Sequence, residues 1–238
     1  MSDNYKEFGL EQTPDMWDNR HSYNKENNMF EYLSLGAVTK KFGAKEFPSP
    51  SKVWATLNKA EKAMFDRMMQ DKNSAVYKAV VAGRRAHMTL EHDDAQKDAF
   101  QEALLETYDR DIAIDIDETW AKEQGVVSLT HKYRGKFDGV GVYKGIPTVW
   151  DYKKTNKIKT PSGVKKYLKQ CSAYAIAHNE MYGTDISQIA IFNIGGKTIE
   201  DLSTRVFIYD MNDGWKDEWL NDVKRYWKEV QSYATLPI

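Results

Sequence analysis

The sequence has few of the residues that mark disulfide-rich, repetitive or membrane proteins. A single cysteine, Cys171, in 238 residues excludes an intrachain disulfide and a four-cysteine metal cluster. No run of about 18 apolar residues occurs, so we predict no transmembrane helix and no membrane partner. There are only 6 prolines, and neither repeats nor biased tracts are present. The first twenty residues resemble neither a secretion nor a transit signal, and we expect a cytoplasmic protein.

The overall composition is that of an ordinary soluble globular chain. Apolar residues make up 41%, charged residues 29%, and the formal net charge is −1. We predict a polar, partly irregular N-terminal segment over residues 1–49 and one folded domain over 50–238. Within that domain, residues 50–118 have helical periodicity and residues 119–238 have mainly strand periodicity.

The periodicity predicts a mixed α/β fold, in which helices flank a central mixed sheet. One helix is expected over 49–70, and its apolar positions are Val53, Leu57, Met64, Phe65 and Met68. A second helix is expected over 74–92, and its core positions are Val76, Ala79, Val80 and Ala86. Further helices are expected over about 95–109, about 162–182 and from residue 215 onward. Strands are expected over 126–134, 136–143, 146–153, 188–194 and 204–210.

Residues 136–157 form the most informative stretch, because they read as two strands joined by a Lys144-Gly145 turn. If the loop has only these two residues, Asp138 lies opposite Asp151, and Lys136 lies opposite Lys153. Asp138, Asp151 and Lys153 then share one face of the hairpin. Opposed carboxylates repel each other, so this geometry favours a Mg²⁺ ion between them. The alternatives are a hairpin whose charges face water, and a bulge that breaks the register.

Charge is strongly segregated around this hairpin. Residues 132–169 contain eleven Lys or Arg and two acids, a net charge of +9. Such a density of cations is typical of a partner with a phosphate backbone, although lysine-rich surfaces are also common. Residues 91–118 contain eleven acids and two bases, a net of −9, which we interpret as a solvated helix face.

Two helical pairs are weaker signals. His87 and Glu91 lie four residues apart and share a helix face, where they could bind a metal. Gly83, one turn earlier, could allow another backbone to approach. Gln170 and Tyr174 share a face in the same way. Spacing alone favours a surface histidine in the first pair and a core tyrosine with an exposed glutamine in the second.

Taken together, these motifs resemble a known family. The order G-x3-H-x3-E, G-x2-D, D-x-K and Q-x3-Y, at Gly83 to Glu91, Gly135 to Asp138, Asp151 to Lys153 and Gln170 to Tyr174, resembles the RecB-type branch of the PD-(D/E)XK nucleases. Over about residues 75–230 the chain is most similar to the mitochondrial genome maintenance exonucleases and their bacterial and phage relatives. The resemblance implies a restriction-endonuclease-like fold and a metal-dependent DNA exonuclease that prefers single strands or frayed ends. Replication, repair, recombination or phage DNA processing would be its setting.

The resemblance also assigns roles to residues. The metal, Mg²⁺ or Mn²⁺, would be bound by His87, Asp138 and Asp151, with the carbonyl of Tyr152 as a further ligand. The catalytic set would comprise Asp138, Asp151, Lys153, Gln170 and Tyr174, with Glu91 as an additional candidate. The positive charge around the hairpin, rather than the resemblance, suggests a DNA-binding set of Lys136, Lys154, Lys157, Lys165, Lys166 and Lys169. Tyr133, Trp150 and Tyr167 are candidates for stacking on bases, although the pattern around Trp150 favours a core position.

Some relatives carry an iron–sulfur cluster or an ATP-driven helicase, and this sequence lacks the residues that either would need. One cysteine is incompatible with an iron–sulfur cluster, and the lack of a G-x4-GK[ST] motif predicts action without ATP. DNA is the expected partner, and replication or recombination proteins are further candidates. Two other functions stay open at this point: a DNA-binding module without catalysis, and a structural or assembly protein.

Overall fold

The computed structural model describes residues 23–24, 29–30, 32–91 and 97–234. The helices are α1 (Leu35–Lys41), α2 (Pro50–Leu57), α3 (Lys59–Gln70), α4 (Ala75–Glu91), α5 (Ala99–Asp111), α6 (Pro161–Tyr182) and α7 (Trp215–Ala234). The strands are β1 (Tyr23–Asn24), β2 (Met29–Phe30), β3 (Ile116–Lys122), β4 (Gly125–Ser128), β5 (Tyr133–Lys136), β6 (Gly139–Tyr143), β7 (Ile146–Thr155), β8 (Gln188–Gly195) and β9 (Ser203–Asp210).

The two helices that flank the site described below begin with strong local signals. Ser49 and Thr160 are the N-caps of α2 and α6, and their side chains accept hydrogen bonds from the amides of Lys52 and Gly163. A proline follows each cap at the first helical position, where its missing N–H costs nothing. These signals fix where both helices start.

The central sheet has five strands in the order β3-β6-β7-β8-β9. Its strands pair antiparallel except for β7 and β8, which are parallel. Parallel neighbours require a crossover, and α6 provides it. β4 and β5 form a separate two-stranded sheet. The predicted mixed sheet flanked by helices is therefore confirmed.

The predicted register of the hairpin is confirmed for β6 and β7. Tyr143 pairs with Ile146 and Gly139 with Trp150, so each pair of residue numbers sums to 289. Lys144 and Gly145 both have positive φ, 52° and 78°, as a two-residue hairpin turn requires. The expected opposition of Lys136 and Lys153 is wrong: Lys136 ends β5 and pairs with Gly125 of β4.

The two faces of the sheet pack against different helices. Val149 and Ile191 belong to a core that includes residues of α6 and α7, whereas Trp150, Tyr152 and Phe192 pack with residues of α4 and α5. Because strand side chains alternate, Asp151 and Lys153 lie on the α6 side. The expectation that Tyr133 stacks on bases is wrong, because this residue is completely buried. The core position favoured for Trp150 is confirmed, since Trp150 is also completely buried.

Several predicted elements have different bounds in the structure. The helix expected over 49–70 is broken at Asn58 into α2 and α3. Met64, Phe65 and Met68 are exposed rather than buried, and α3 as a whole has no buried residue. The strand expected over 126–134 is a short hairpin of β4 and β5, and β3 was not predicted because its residues alternate poorly.

Two expectations about α4 are also wrong. Ala79 is exposed rather than part of the core. A side-chain carbon added at Gly83 would meet no described atom within 4 Å, so no backbone among the described residues approaches there.

Within the described residues, no helix is long and apolar enough to span a membrane. The boundary between residues 49 and 50 stays a prediction. Val38 and Phe47, which precede it, pack in the same core as the sheet.

Candidate metal and phosphodiester site

Asp138 and Asp151 meet at the end of the hairpin formed by β6 and β7. Asp138 directly precedes β6, and its carboxylate accepts a hydrogen bond from the Tyr152 amide at 2.9 Å. Both aspartates are buried, with 8% and 1% of their surfaces exposed. Burial raises the pKa of Asp151, and charge repulsion from Asp138 adds to this shift, as expected for two carboxylates in one pocket.

The surroundings of Asp151 disfavour the ionised form of its carboxyl group. Burial is the main cause that raises its pKa, and the Lys153 ammonium opposes it. Lys153 Nζ forms an ion pair with Asp151 Oδ2. Within the described part of the chain, however, neither oxygen of Asp151 has a well-directed hydrogen-bond donor. A buried carboxylate of this kind is suited to a cationic ligand.

Lys153 is tied to the same pocket. Its Nζ donates to the Tyr152 carbonyl oxygen at 2.9 Å and lies 4.8 Å from the ring centre of Tyr167. Burial alone would lower its pKa, but Asp151 and Asp138 outweigh burial and raise it. The ammonium therefore keeps its proton at neutral pH.

His87 reaches the pocket from α4. Its Nε2 lies 2.7 Å from the Tyr152 carbonyl oxygen, and its Nδ1 lies 3.6 Å from Asp138 Oδ2. The imidazole is thus beside both the carboxylate and the carbonyl that the sequence analysis named as metal ligands. Glu91 is the last residue of the same helix, and its side chain lies outside the described residues.

Glu123 is a member of the pocket that the sequence analysis missed. Ligand atoms of His87, Glu123 and Asp138 all lie within 4.8 Å of one another. Glu123 sits between β3 and β4 with a positive φ of 56°, an uncommon conformation for a residue other than glycine. Its carboxylate also pairs with Lys136. It falls outside all four motifs, so no local pattern could have identified it.

The donor set fits a divalent metal ion. It combines one imidazole, the carboxylates of Glu123 and Asp138, and the nearby Asp151, whose buried oxygens lack directed donors among the described atoms. Carboxylate and carbonyl oxygens are the ligands that Mg²⁺ accepts, and an imidazole is also compatible with Mn²⁺.

The Gln170 and Tyr174 pair lies next to this pocket. Gln170 Nε2 donates to the Tyr174 hydroxyl at 2.8 Å, and Tyr174 is buried. A side-chain carbon added at Gly135 would lie 2.4 Å from the Tyr174 ring, so the ring can pack here only against glycine. This contact gives a physical reason for the glycine three residues before Asp138.

The predicted DNA-binding lysines divide into two groups. Three are engaged with the protein: Lys136 with Glu123, Lys154 with the Gly196 and Thr155 carbonyls, and Lys169 with Glu218 and Asp222. The other three, Lys157, Lys165 and Lys166, are exposed. The exposed group is the one that can meet a phosphate backbone without breaking an ion pair.

A family profile described as the PD-(D/E)XK nuclease superfamily matches residues 37–238. The chain belongs to the PD-(D/E)XK nuclease superfamily. Nucleases of this superfamily use divalent metals, in agreement with the donor set of the pocket. The predicted restriction-endonuclease-like fold class is thereby confirmed. The finer RecB-type and mitochondrial branch stays a prediction.

No curated protein matches the sequence. One similar solved structure is that of a protein described as "Putative exonuclease" from Eubacterium rectale, with 16% identity and a TM-score of 0.47. The match covers 88% of this chain and 84% of that one.

Proposed function

We propose that this nuclease is a divalent-metal-dependent DNA exonuclease that hydrolyses phosphodiester bonds. The observation that supports it best is the pocket itself: His87, Asp138, Asp151 and Lys153 come from two separate parts of the chain and meet at one end of the sheet. Exonuclease action, rather than endonuclease action, rests on the resemblance of the four motifs.

The metal would be held by His87, Asp138 and Asp151, with Glu123 as a further carboxylate and the Tyr152 carbonyl as a neutral ligand. A bound divalent ion supplies Lewis-acid chemistry: it offsets the negative charge of the phosphate and makes water a stronger acid. We propose Mg²⁺ as the physiological metal and Mn²⁺ as a substitute.

Lys153 acts as a charge stabiliser in this scheme. Its pKa is raised, so the Lys153 amine stays protonated at neutral pH and cannot act as a base toward water. It can donate hydrogen bonds to phosphate oxygens as negative charge accumulates on them in the transition state. Asp151 and the Tyr152 carbonyl hold the ammonium in place for this role.

Gln170 and Tyr174 position the substrate beside the metal. Their hydrogen bond fixes the Gln170 amide, whose oxygen stays available as an acceptor. The exposed Lys157, Lys165 and Lys166 would hold the phosphate backbone, and these contacts carry no sequence information. We infer a preference for single strands or frayed ends, and a role in replication, repair, recombination or phage DNA processing.

Three DNA forms of one sequence test this proposal: a linear single strand, the same strand circularised, and the linear duplex. With Mg²⁺, the linear single strand should be degraded fastest and the circle should survive. Degradation of the circle would show endonuclease action. Binding without degradation in Mg²⁺ or Mn²⁺ would instead favour a DNA-binding module. Neither binding nor degradation would favour a structural role.

A further inference from the structure

A groove of about 610 Å³ separates α2 and α3 from α6 and α7. Its volume is within the range of about 300–1,000 Å³ that is usual for sites that enclose a ligand. Trp54 and Phe65 belong to the α2 and α3 wall, and Tyr167 and Gln170 belong to the α6 wall. The α2 and α3 wall lies outside the four motifs, so the resemblance assigns it no role.

The groove adjoins the metal pocket through two of its lining residues. Tyr167 lines the groove, and its ring centre lies 4.8 Å from Lys153 Nζ. Gln170 also lines the groove and donates to Tyr174, which packs against Gly135 near Asp138. A strand whose phosphate lies at Lys153 therefore has the groove as its neighbouring space.

The lining of the groove combines aromatic rings with positive charge. Among the described lining residues, five are cations and two are acids, a net of +3: Lys62, Lys165, Lys166, Lys169, Arg225, Glu218 and Asp222. Asp222 pairs with Lys169 and Arg225, whereas Lys165 and Lys166 stand exposed at the rim. Trp54 is half-buried, and Phe65 has 39% of its surface exposed.

We propose that this groove binds the single-stranded segment of the substrate next to the scissile phosphate, with one base against Trp54 and the backbone along Lys165 and Lys166. The proposal rests on the proposed function, because a nucleic acid must first be the substrate. Aromatic platforms beside a cationic track are the usual means of binding single strands. In a duplex the bases are stacked on each other, so their faces are not available to Trp54.

Two substitutions at one position separate stacking from simple packing. Trp54→Leu keeps apolar volume but removes the aromatic face, whereas Trp54→Phe keeps a face. Binding of a fluorescein-labelled oligothymidylate is measured by anisotropy in EDTA, with a blunt duplex of equal length in parallel. Trp54→Leu should weaken single-strand binding about 5- to 140-fold, which corresponds to about 1–3 kcal/mol of stacking per base. Trp54→Phe should lose less, and duplex binding should not change.

A crosslinking measurement on the unmodified protein keeps the proposal testable if Trp54→Leu fails to fold. An oligonucleotide with 5-iodo-deoxyuridine is irradiated in complex with the protein, and the tryptic peptide that carries the nucleotide is identified. Trypsin releases residues 53–59, which include Trp54, as one peptide. We expect the crosslink in that peptide.

Three results would overturn the groove proposal: single-strand binding by folded Trp54→Leu within twofold of wild type, equal weakening of duplex binding, or crosslinks confined to peptides outside the groove. These results are distinct from a failure of the proposed function. If DNA is degraded but no crosslink forms at residues 53–59, only the groove proposal fails. If the crosslink forms but no DNA is degraded, only the proposed catalysis fails.

Discussion

Asp151→Asn changes one charge in a buried pocket at nearly constant volume. When all three are ionised, Asp138, Asp151 and Lys153 carry a net charge of −1, and the Glu123 carboxylate is balanced by Lys136. The substitution brings this charge to zero. It also removes a carboxylate that is 1% exposed and that lacks directed donors among the described residues.

Two effects of this substitution oppose each other. Loss of an ion-pair partner costs about 3–5 kcal/mol when the remaining charge is left buried and uncompensated. Lys153 is not left so, because it keeps the Tyr152 carbonyl at 2.9 Å and the attraction of Asp138. The raised pKa of Asp151 shows that burial outweighs the attraction of Lys153, so its charged form is disfavoured. We therefore expect Asp151→Asn to stabilise the protein in EDTA by about 1–2 kcal/mol, or about 2–8 °C in Tm.

Metal should reverse this order. An ion at 100 times its Kd stabilises the protein that binds it by about 2.7 kcal/mol, or about 5–11 °C for a domain of this size. Thermal unfolding of wild type and Asp151→Asn is measured in EDTA and in Mg²⁺. The variant should unfold at the higher temperature in EDTA, and the wild type should gain more from Mg²⁺. Asp109→Asn, an exposed acid on α5, is the matched control and should follow the wild type.

Activity should move in the opposite direction to metal-free stability. Asp151→Asn should bind DNA but cleave it at least about a hundredfold more slowly, because a catalytic metal supplies several kcal/mol of transition-state stabilisation. A variant that is several degrees less stable than wild type in EDTA would show that the carboxylate has a structural role. Equal Mg²⁺ stabilisation of the two proteins would refute the metal assignment.

Three further predictions concern two other metal ligands, the exposed lysines and a buried histidine. His87→Ala and Glu123→Gln should each raise the Mg²⁺ concentration needed for half-maximal thermal stabilisation, and an unchanged concentration for Glu123→Gln would remove Glu123 from the ligand set. Lys165→Glu combined with Lys166→Glu should make the negative slope of log K against log salt for single strands less steep by about 1.4, since each phosphate contact contributes about 0.7. An unchanged slope would place the binding track at Lys157 instead. His178 is buried between Tyr32 and Thr184, and burial lowers its pKa to about 3. In the unfolded chain this histidine binds a proton below about pH 6.5, whereas in the folded protein it stays neutral down to about pH 3. The free energy of unfolding should therefore fall as pH drops from 6.5 toward 3, by up to about 1.4 kcal/mol per pH unit. His178→Gln should show a shallower fall, as measured by urea unfolding.

Local chemistry explains why the hairpin could be predicted from sequence. Lys144-Gly145 specifies a two-residue turn, and a turn of known length fixes every pair on the two strands. The observed pairing of Gly139 with Trp150 follows from the turn length alone. The same argument failed at Lys136, because the chain leaves the hairpin before that residue and joins a second sheet with Gly125. The position where a strand changes partners depends on tertiary packing.

Contacts between distant parts of the chain could not be predicted in this way. Glu123 lies beside Asp138 because β3 and β6 pair with Lys122 opposite Gly139, and α4 adds His87 from a third part of the chain. For α3 the sequence predicted buried apolar residues that are exposed in the structure. Met64 and Phe65 have the spacing of a buried face, but periodicity does not reveal that α3 buries none of its residues.

We propose that metal bound at Asp138 and Asp151 drives phosphodiester hydrolysis. The most direct test is single-turnover cleavage of an end-labelled linear single strand by wild type, Asp151→Asn and Asp109→Asn, in Mg²⁺ and in EDTA. We expect rapid cleavage only by wild type and Asp109→Asn, and only in Mg²⁺. Cleavage in EDTA, or wild-type rates in Asp151→Asn, would contradict it.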